Sequence, residues 1–284
     1  MTTSSRSSNR PIRRRAASGF TLVELMVGMV ISMLLILAAT SLYISQRRSN
    51  ATQGDVGEIQ ENARAIAQLM QRQARQIGYT DFLFTNNDFV SPSLEVTNDT
   101  GANTSDSLTL RYFGSSQAGA DPYAAAGSPN FPKADGGTVD CSGNDVSGNV
   151  QTTEVYAIVN DANGVPWLQC TVNGMATPLF RNVEAFQILL GEDTDGDGVV
   201  NRFVRPGATA SIDDVLAVRV SVVLRGNDTN NAEMKKPTIN HFGDSYAPKD
   251  VAPAGDAGSV VKTATDGRMH RHFTFYIALR NRLI

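Results

Sequence analysis

The chain has 284 residues, with 25 basic and 28 acidic side chains and a formal charge of −3. That is enough chain for one or two domains with a sizeable core, and the near-neutral balance excludes a nucleic-acid protein built on one large basic field. Two cysteines exclude a disulfide-dense scaffold and a four-cysteine zinc site, and three histidines leave little material for a histidine-rich metal centre. The charge is unevenly placed. Residues 1–19 hold Arg6, Arg10, Arg13, Arg14 and Arg15 and no acid, so the remaining 265 residues carry 20 basic and 28 acidic groups, or −8.

Residues 20–44 are apolar with Glu24 as their only charge. As a helix they reach about 37 Å, enough to cross a hydrocarbon core of roughly 30 Å. Arginines crowd the N-terminal flank, whereas Arg47 and Arg48 are soon offset by Asp55 and Glu58. The positive-inside rule therefore puts residues 1–19 in the cytoplasm and the bulk of the chain outside it. No small-residue cleavage site follows the apolar run, which passes into Tyr43, Ile44 and Gln46.

Helical periodicity continues through Ile59, Ala63, Ile66, Met70, Ala74 and Ile77, with charges interleaved. No proline occurs between Phe20 and Gly78, so one helix of over 50 residues is expected, with Gly54 and Gly57 as its weak point and Gly78 as its stop. From about Asp81 the period changes to two. Residues 81–106 and 114–150 read as loops, and strands are expected where apolar residues alternate. Leu108, Leu110 and Tyr112 share one face, and Val155, Ala157 and Val159 share another. Further strands are expected at 165–172, 179–190, 199–204, 214–225 and from Phe273 to Leu279. The stretch 226–269, with Pro237, Pro248 and Pro253, reads as a surface excursion. The fold class is α+β: one N-terminal helix against a mostly antiparallel sheet.

The run Gly19-Phe20-Thr21-Leu22-Val23-Glu24-Leu25-Met26-Val27 resembles the type IV prepilin signature. That resemblance implies a leader, residues 1–19, cut between Gly19 and Phe20 by the prepilin peptidase, with N-methylation of Phe20. It divides the rest into a membrane and assembly half-helix (20–45), an amphipathic half (46–80) and a β-rich periplasmic domain (81–284). It also gives Glu24 a partner, the N-terminal amine of a neighbouring subunit, because an acid in a span costs about 2.5–3.5 kcal/mol and is a functional candidate by default. Reach to the headgroups is the alternative.

The remainder resembles the PilW family of minor pilins, itself similar to the J-type pseudopilins. The resemblance rests on length, Asn182-Val183-Glu184-Ala185-Phe186-Gln187-Ile188, the acidic turn after it, and Ala278-Leu279-Arg280-Asn281-Arg282. It implies a non-enzymatic protein that joins other minor pilins, the major pilin and the inner-membrane assembly platform, priming a type IV pilus or sitting at its tip. A type II secretion pseudopilin is the second reading. An unprocessed, membrane-anchored calcium-dependent binding protein or adhesin is the third. No nucleic-acid partner is expected.

Three residue sets carry chemistry of their own. Asp193, Asp195 and Asp197, with Gly198 after the third, form the front half of a calcium loop. The twelfth position is Val204 where a bidentate glutamate would be needed, and Arg202 and Arg205 lie nearby, so a plain polar turn competes with calcium. Cys141 and Cys170 are expected to form one disulfide in an oxidising compartment, two buried free thiols being the alternative. His270 and His272 read as solvated strand residues rather than a metal pair. No catalytic motif or resident cofactor is expected.

Overall fold

An uninterrupted run without proline gives the backbone no reason to leave the helix after residue 20. In the computed structural model, which describes residues 19–81, 84, 89, 91–229, 238–262 and 266–279, helix α1 runs Leu22–Ala74. Gly54 and Gly57 lie inside it without a break. The chain divides into two compact units, Met1–Ser49 and Asn50–Ile284.

In the first unit every described residue is exposed, and α1 is long and apolar enough to cross a membrane. Its hydroxyls bond back to their own helix. Ser32 Oγ donates to the Gly28 carbonyl at 2.7 Å, Thr40 Oγ1 to Ile36 at 2.8 Å and Ser41 Oγ to Ala38 at 2.8 Å. A segment placed in hydrocarbon needs this internal satisfaction of its polar groups.

In the second unit α1 buries one stripe, Asp55, Ile59, Ala63, Ile66, Met70, Gln73 and Ala74. Gly78, at φ +70°, turns the chain away and donates its N–H to the Arg111 carbonyl at 3.0 Å. Five strands then form an antiparallel meander: β1 (Leu94–Thr97), β2 (Ser107–Phe113), β3 (Gln151–Asn160), β4 (Pro166–Val172) and β5 (Met175–Arg181). A four-stranded antiparallel sheet has the order β11-β8-β6-β7, from β6 (Val183–Glu192), β7 (Arg202–Val204), β8 (Val215–Arg225) and β11 (His270–Ala278). A two-stranded ladder pairs β9 (Thr238–Asn240) with β10 (Val260–Lys262). The inner faces of both larger sheets and the α1 stripe share one apolar core, which includes Ile66, Met70, Leu110, Tyr156, Leu168, Phe186, Val220 and Ile277.

Three expectations need correction. The stretch 179–190 is two strands, because Asn182 sits between them at φ +63°, a left-handed conformation that asparagine tolerates. Its N–H donates to the Pro166 carbonyl at 2.8 Å, and its carbonyl accepts from the Arg225 N–H at 3.0 Å. One residue thus stitches the two sheets together. The loop 81–106 contains β1, which pairs with β2 in register Leu94 to Leu110. The excursion 226–269 is no surface ornament: Ile239, His241, Phe242, Ala247, Asp256 and Ser259 are buried within it, and Ile239 packs with Ala185 and Val223 on the outer face of the four-stranded sheet. Its polar composition misleads because those groups are bonded inside the protein.

Strand β3 also turns the less obvious face inward. Thr152, Glu154, Tyr156 and Ile158 are buried, whereas Val155, Ala157 and Val159 point outward.

Candidate functional site

The helix begins two residues after Phe20, and Thr21 caps it. The Thr21 carbonyl accepts the Leu25 N–H at 3.2 Å, and its Oγ1 accepts the Glu24 N–H at 3.3 Å. Glu24 Oε2 reaches back to the Thr21 N–H at 3.1 Å and to its hydroxyl at 3.0 Å. This reciprocal pairing is a capping box, in which two otherwise orphan donors at a helix start are satisfied. It also holds the Glu24 side chain against Thr21, at the start of the helix. Thr21 is a residue the sequence reading passed over, although T-x-x-E before an apolar run is a legible signal.

Cys141 and Cys170 form a disulfide. Its neighbour is the buried Glu154, whose carboxylate lies with the two sulfurs inside a 4.8 Å cluster. Glu154 Oε1 accepts the Tyr112 hydroxyl and the Cys141 N–H, both at 2.7 Å, and Oε2 accepts the Tyr156 hydroxyl at 2.7 Å. Strand register explains the convergence. Tyr112 pairs with Thr152, one step along the inward face of β3 from Glu154, and Tyr156 is the next step the other way. Burial pushes the Glu154 carboxyl above its ordinary range, against the pull of these three donors. The cluster ties the 138–146 loop to the sheet, and Gln76 holds the same loop from the other side through the Val139 N–H and carbonyl, at 3.1 and 3.0 Å.

The acidic turn joins β6 to β7. Asp193 Oδ1 accepts the Gly196 N–H and Oδ2 the Gly198 N–H, each at 2.7 Å. The Gly198 N–H in particular holds the Asp193 carboxyl below its ordinary range. Asp193, Asp195 and Asp197 bring one carboxylate oxygen each within 4.8 Å of the others. Arg202, read from sequence as opposing a cation, is instead engaged with Glu192 at 2.7 Å.

His270 is buried, and so corrects the expectation of a solvated pair. Its Nε2 lies 2.7 Å from Glu184 Oε2, and its Nδ1 lies 3.1 Å from the Arg268 carbonyl. His272, two residues on, is exposed.

Residues 14–40, which span Gly19, Phe20 and Glu24, match the prokaryotic N-terminal methylation motif. Residues 155–281 match PilW, the type IV pilus-assembly protein W family. The chain thus carries an N-terminal methylation motif and a PilW region. That region runs from within β3 through β11, and so contains the Asn182 junction, the acidic turn and Cys170. A solved structure, a type IV-like pilin from Thermus thermophilus, is similar over 78% of this chain and 95% of that one, with 12% identity and a TM-score of 0.43. Comparison with curated sequences gives no match. The chain carries an exposed apolar helical segment and an antiparallel β domain.

Proposed function

We propose that this PilW-type chain is a minor pilin that primes assembly of a type IV pilus or sits at its tip. The observation that carries the reading is the capping box at Thr21 and Glu24, placed directly after Gly19–Phe20 at the start of an exposed apolar helix. Residues 1–19 stay on the cytoplasmic side of the inner membrane and are removed by the prepilin peptidase, which also methylates Phe20. Residues 20–45 hold the protein in the membrane and later pack sideways in the fibre. With Oε2 bonded to Thr21, Glu24 offers Oε1 to the methylated N-terminal amine of a neighbouring subunit. A charge paired in low dielectric sets axial register, since a slipped neighbour would leave it unpaired. The β domain faces the periplasm and supplies contacts to other minor pilins, the major pilin and the assembly platform. Its role is structural rather than catalytic.

Mass spectrometry of the N-terminus tests this. The mature chain is expected to start at N-methyl-Phe20, and an intact leader in cells carrying an active prepilin peptidase would sink the pilin reading.

The acidic turn is the place where this chain would take a hard cation such as calcium, through Asp193, Asp195 and Asp197. Asp193→Ala is expected to lower Tm by a few degrees in both EGTA and millimolar calcium, because Asp193 holds the turn by its N–H groups. A stabilisation of the wild type by calcium that Asp193→Ala abolishes would assign an ion to the turn. Identical wild-type melting in the two buffers would remove it.

A further inference from the structure

Residues 241–259 leave β9 and return to β10, whose antiparallel pairing (Asn240 with Val260) closes the base of the loop. Between those ends the segment lies on two other parts of the fold. On the four-stranded sheet, His241 Nδ1 is 2.8 Å from Ser221 Oγ, and the His241 carbonyl accepts from Thr274 Oγ1 at 3.4 Å. On the connection between β1 and β2, Asp99 accepts the N–H groups of Ala257 and Gly258 at 2.8 and 3.0 Å, and Asn98 Nδ2 donates to the Gly255 carbonyl at 3.0 Å. The approach at Gly258 is so close that a Cβ there would stand 2.0 Å from the Thr104 carbonyl oxygen. Asp99 is itself at φ +54°, a conformation held by these bonds rather than chosen by an aspartate.

Three carboxyls converge under this segment. Asp106, buried, accepts the Asp99 N–H at 2.9 Å and the Ile188 N–H at 2.7 Å. Asp256, also buried, takes the Tyr246 hydroxyl on Oδ2 and leaves Oδ1 without a hydrogen-bond partner among the described residues. Gln187 Oε1, beside them on β6, is likewise unpartnered. Among the described residues, the charged and titratable groups facing the cluster are few. Arg205 is the cation that acts on Asp256 and Tyr246, and the remaining neighbours are the carboxyls themselves. His241 brings no charge, since complete burial, with His272 nearby, pushes it down to about 3. Loss of the last proton would thus set the buried charges of Asp106 and Asp256, beside the half-buried Asp99, against one arginine among the described residues.

We propose that residues 241–259 form a proton-held flap, which the Asp99–Asp106–Asp256 cluster keeps on the sheet while Asp106 and Asp256 retain a proton between them and releases when that proton is lost. Release uncovers Ser221 and the neighbouring face of β6 and β8, while the β9–β10 ladder remains as the hinge. Burial, and then the charges of Asp256 and Asp99, push the Asp106 carboxyl up to about 7 from an ordinary 3.8, while its two backbone donors pull the other way. The folded state therefore holds a proton that the unfolded chain gives up earlier. The stability this group adds is full below its ordinary value and lost as pH rises toward neutrality.

Hydrogen exchange read by mass spectrometry on the full chain in detergent micelles tests the flap. After correction for intrinsic rates, protection of peptides within 241–259 is expected to fall by about tenfold between pH 6 and pH 8, while β3 and β4 stay unchanged. Asp256→Asn removes one charge yet keeps an oxygen for Tyr246, and is expected to retain protection at pH 8. Asp106→Asn serves as the second variant should Asp256→Asn lose protection in β3 and β4 at both pH values. Equal wild-type protection at the two pH values overturns the proposal. So does a folded neutral variant that still opens as the wild type does.

Discussion

Glu154→Leu is expected to lower Tm by about 10–20 °C in thermal melts of the full chain in detergent micelles. The carboxylate is the common acceptor for two tyrosine hydroxyls and the Cys141 N–H. Leucine has similar bulk and no acceptor, so three buried donors lose their partner together. Each unsatisfied donor costs about 1–3 kcal/mol, and relief of the carboxylate's own desolvation returns part of that, leaving a loss of about 3–6 kcal/mol. Glu154→Gln keeps one acceptor oxygen and is expected to cost less. The pH profile gives a second reading. Because burial holds this carboxyl above its ordinary value, its contribution is fullest at low pH and declines as pH rises through the raised value. The leucine variant should flatten that limb. A melting point within a degree or two of wild type would mean that the tyrosines find other acceptors and that the cluster contributes little.

Removing the disulfide is expected to cost about 3–4 kcal/mol on chain-entropy grounds. Cys141 and Cys170 are 29 residues apart, and both are buried. Cys141→Ser with Cys170→Ser should therefore lower the denaturation midpoint, most clearly in urea titrations where the wild type is run with and without reductant. The two losses should not add. Glu154 grips the Cys141 N–H, so an untethered 138–146 loop already forfeits part of what Glu154 supplies, and the combined variant should fall short of the sum by about 0.5–3 kcal/mol. Strict additivity would show that the disulfide and the carboxylate act on separate parts of the domain.

The elements read from sequence were those whose signal is local. Helix α1 was legible because its apolar residues keep one period, and β8 because Arg219, Ser221 and Arg225 mark its outer face against Val218, Val220 and Val222. The N-terminal methylation motif was legible for the same reason, since Gly19, Phe20 and Glu24 lie within six consecutive positions. Asn182 was not, because a single left-handed residue leaves the β pattern on either side intact. Glu154 shares its inward face of β3 with Tyr156 and Ile158, and an acid breaks the apolar pattern by which such a face is read. Its partner Tyr112 lies 42 residues away, and Asp106 finds the Ile188 N–H at a separation of 82. Such clusters are properties of register between distant strands, and periodicity along one strand does not reveal them.

The order of strands in the two larger sheets bears on how the domain comes together during synthesis. In the β1–β5 meander each strand pairs with its neighbour in the chain, so these contacts need nothing beyond β5 and can form as soon as it has been made. The other sheet cannot. Strand β8 pairs with β11, the last strand described, across a register that runs from His270–Arg225 to Ala278–Ala217. Until those nine residues arrive, β8 is an open edge rich in valine, the kind of edge that pairs with the wrong chain. Its quality control is therefore written at the C-terminus: a chain cut short before β11 keeps a complete meander and displays an unfinished sheet.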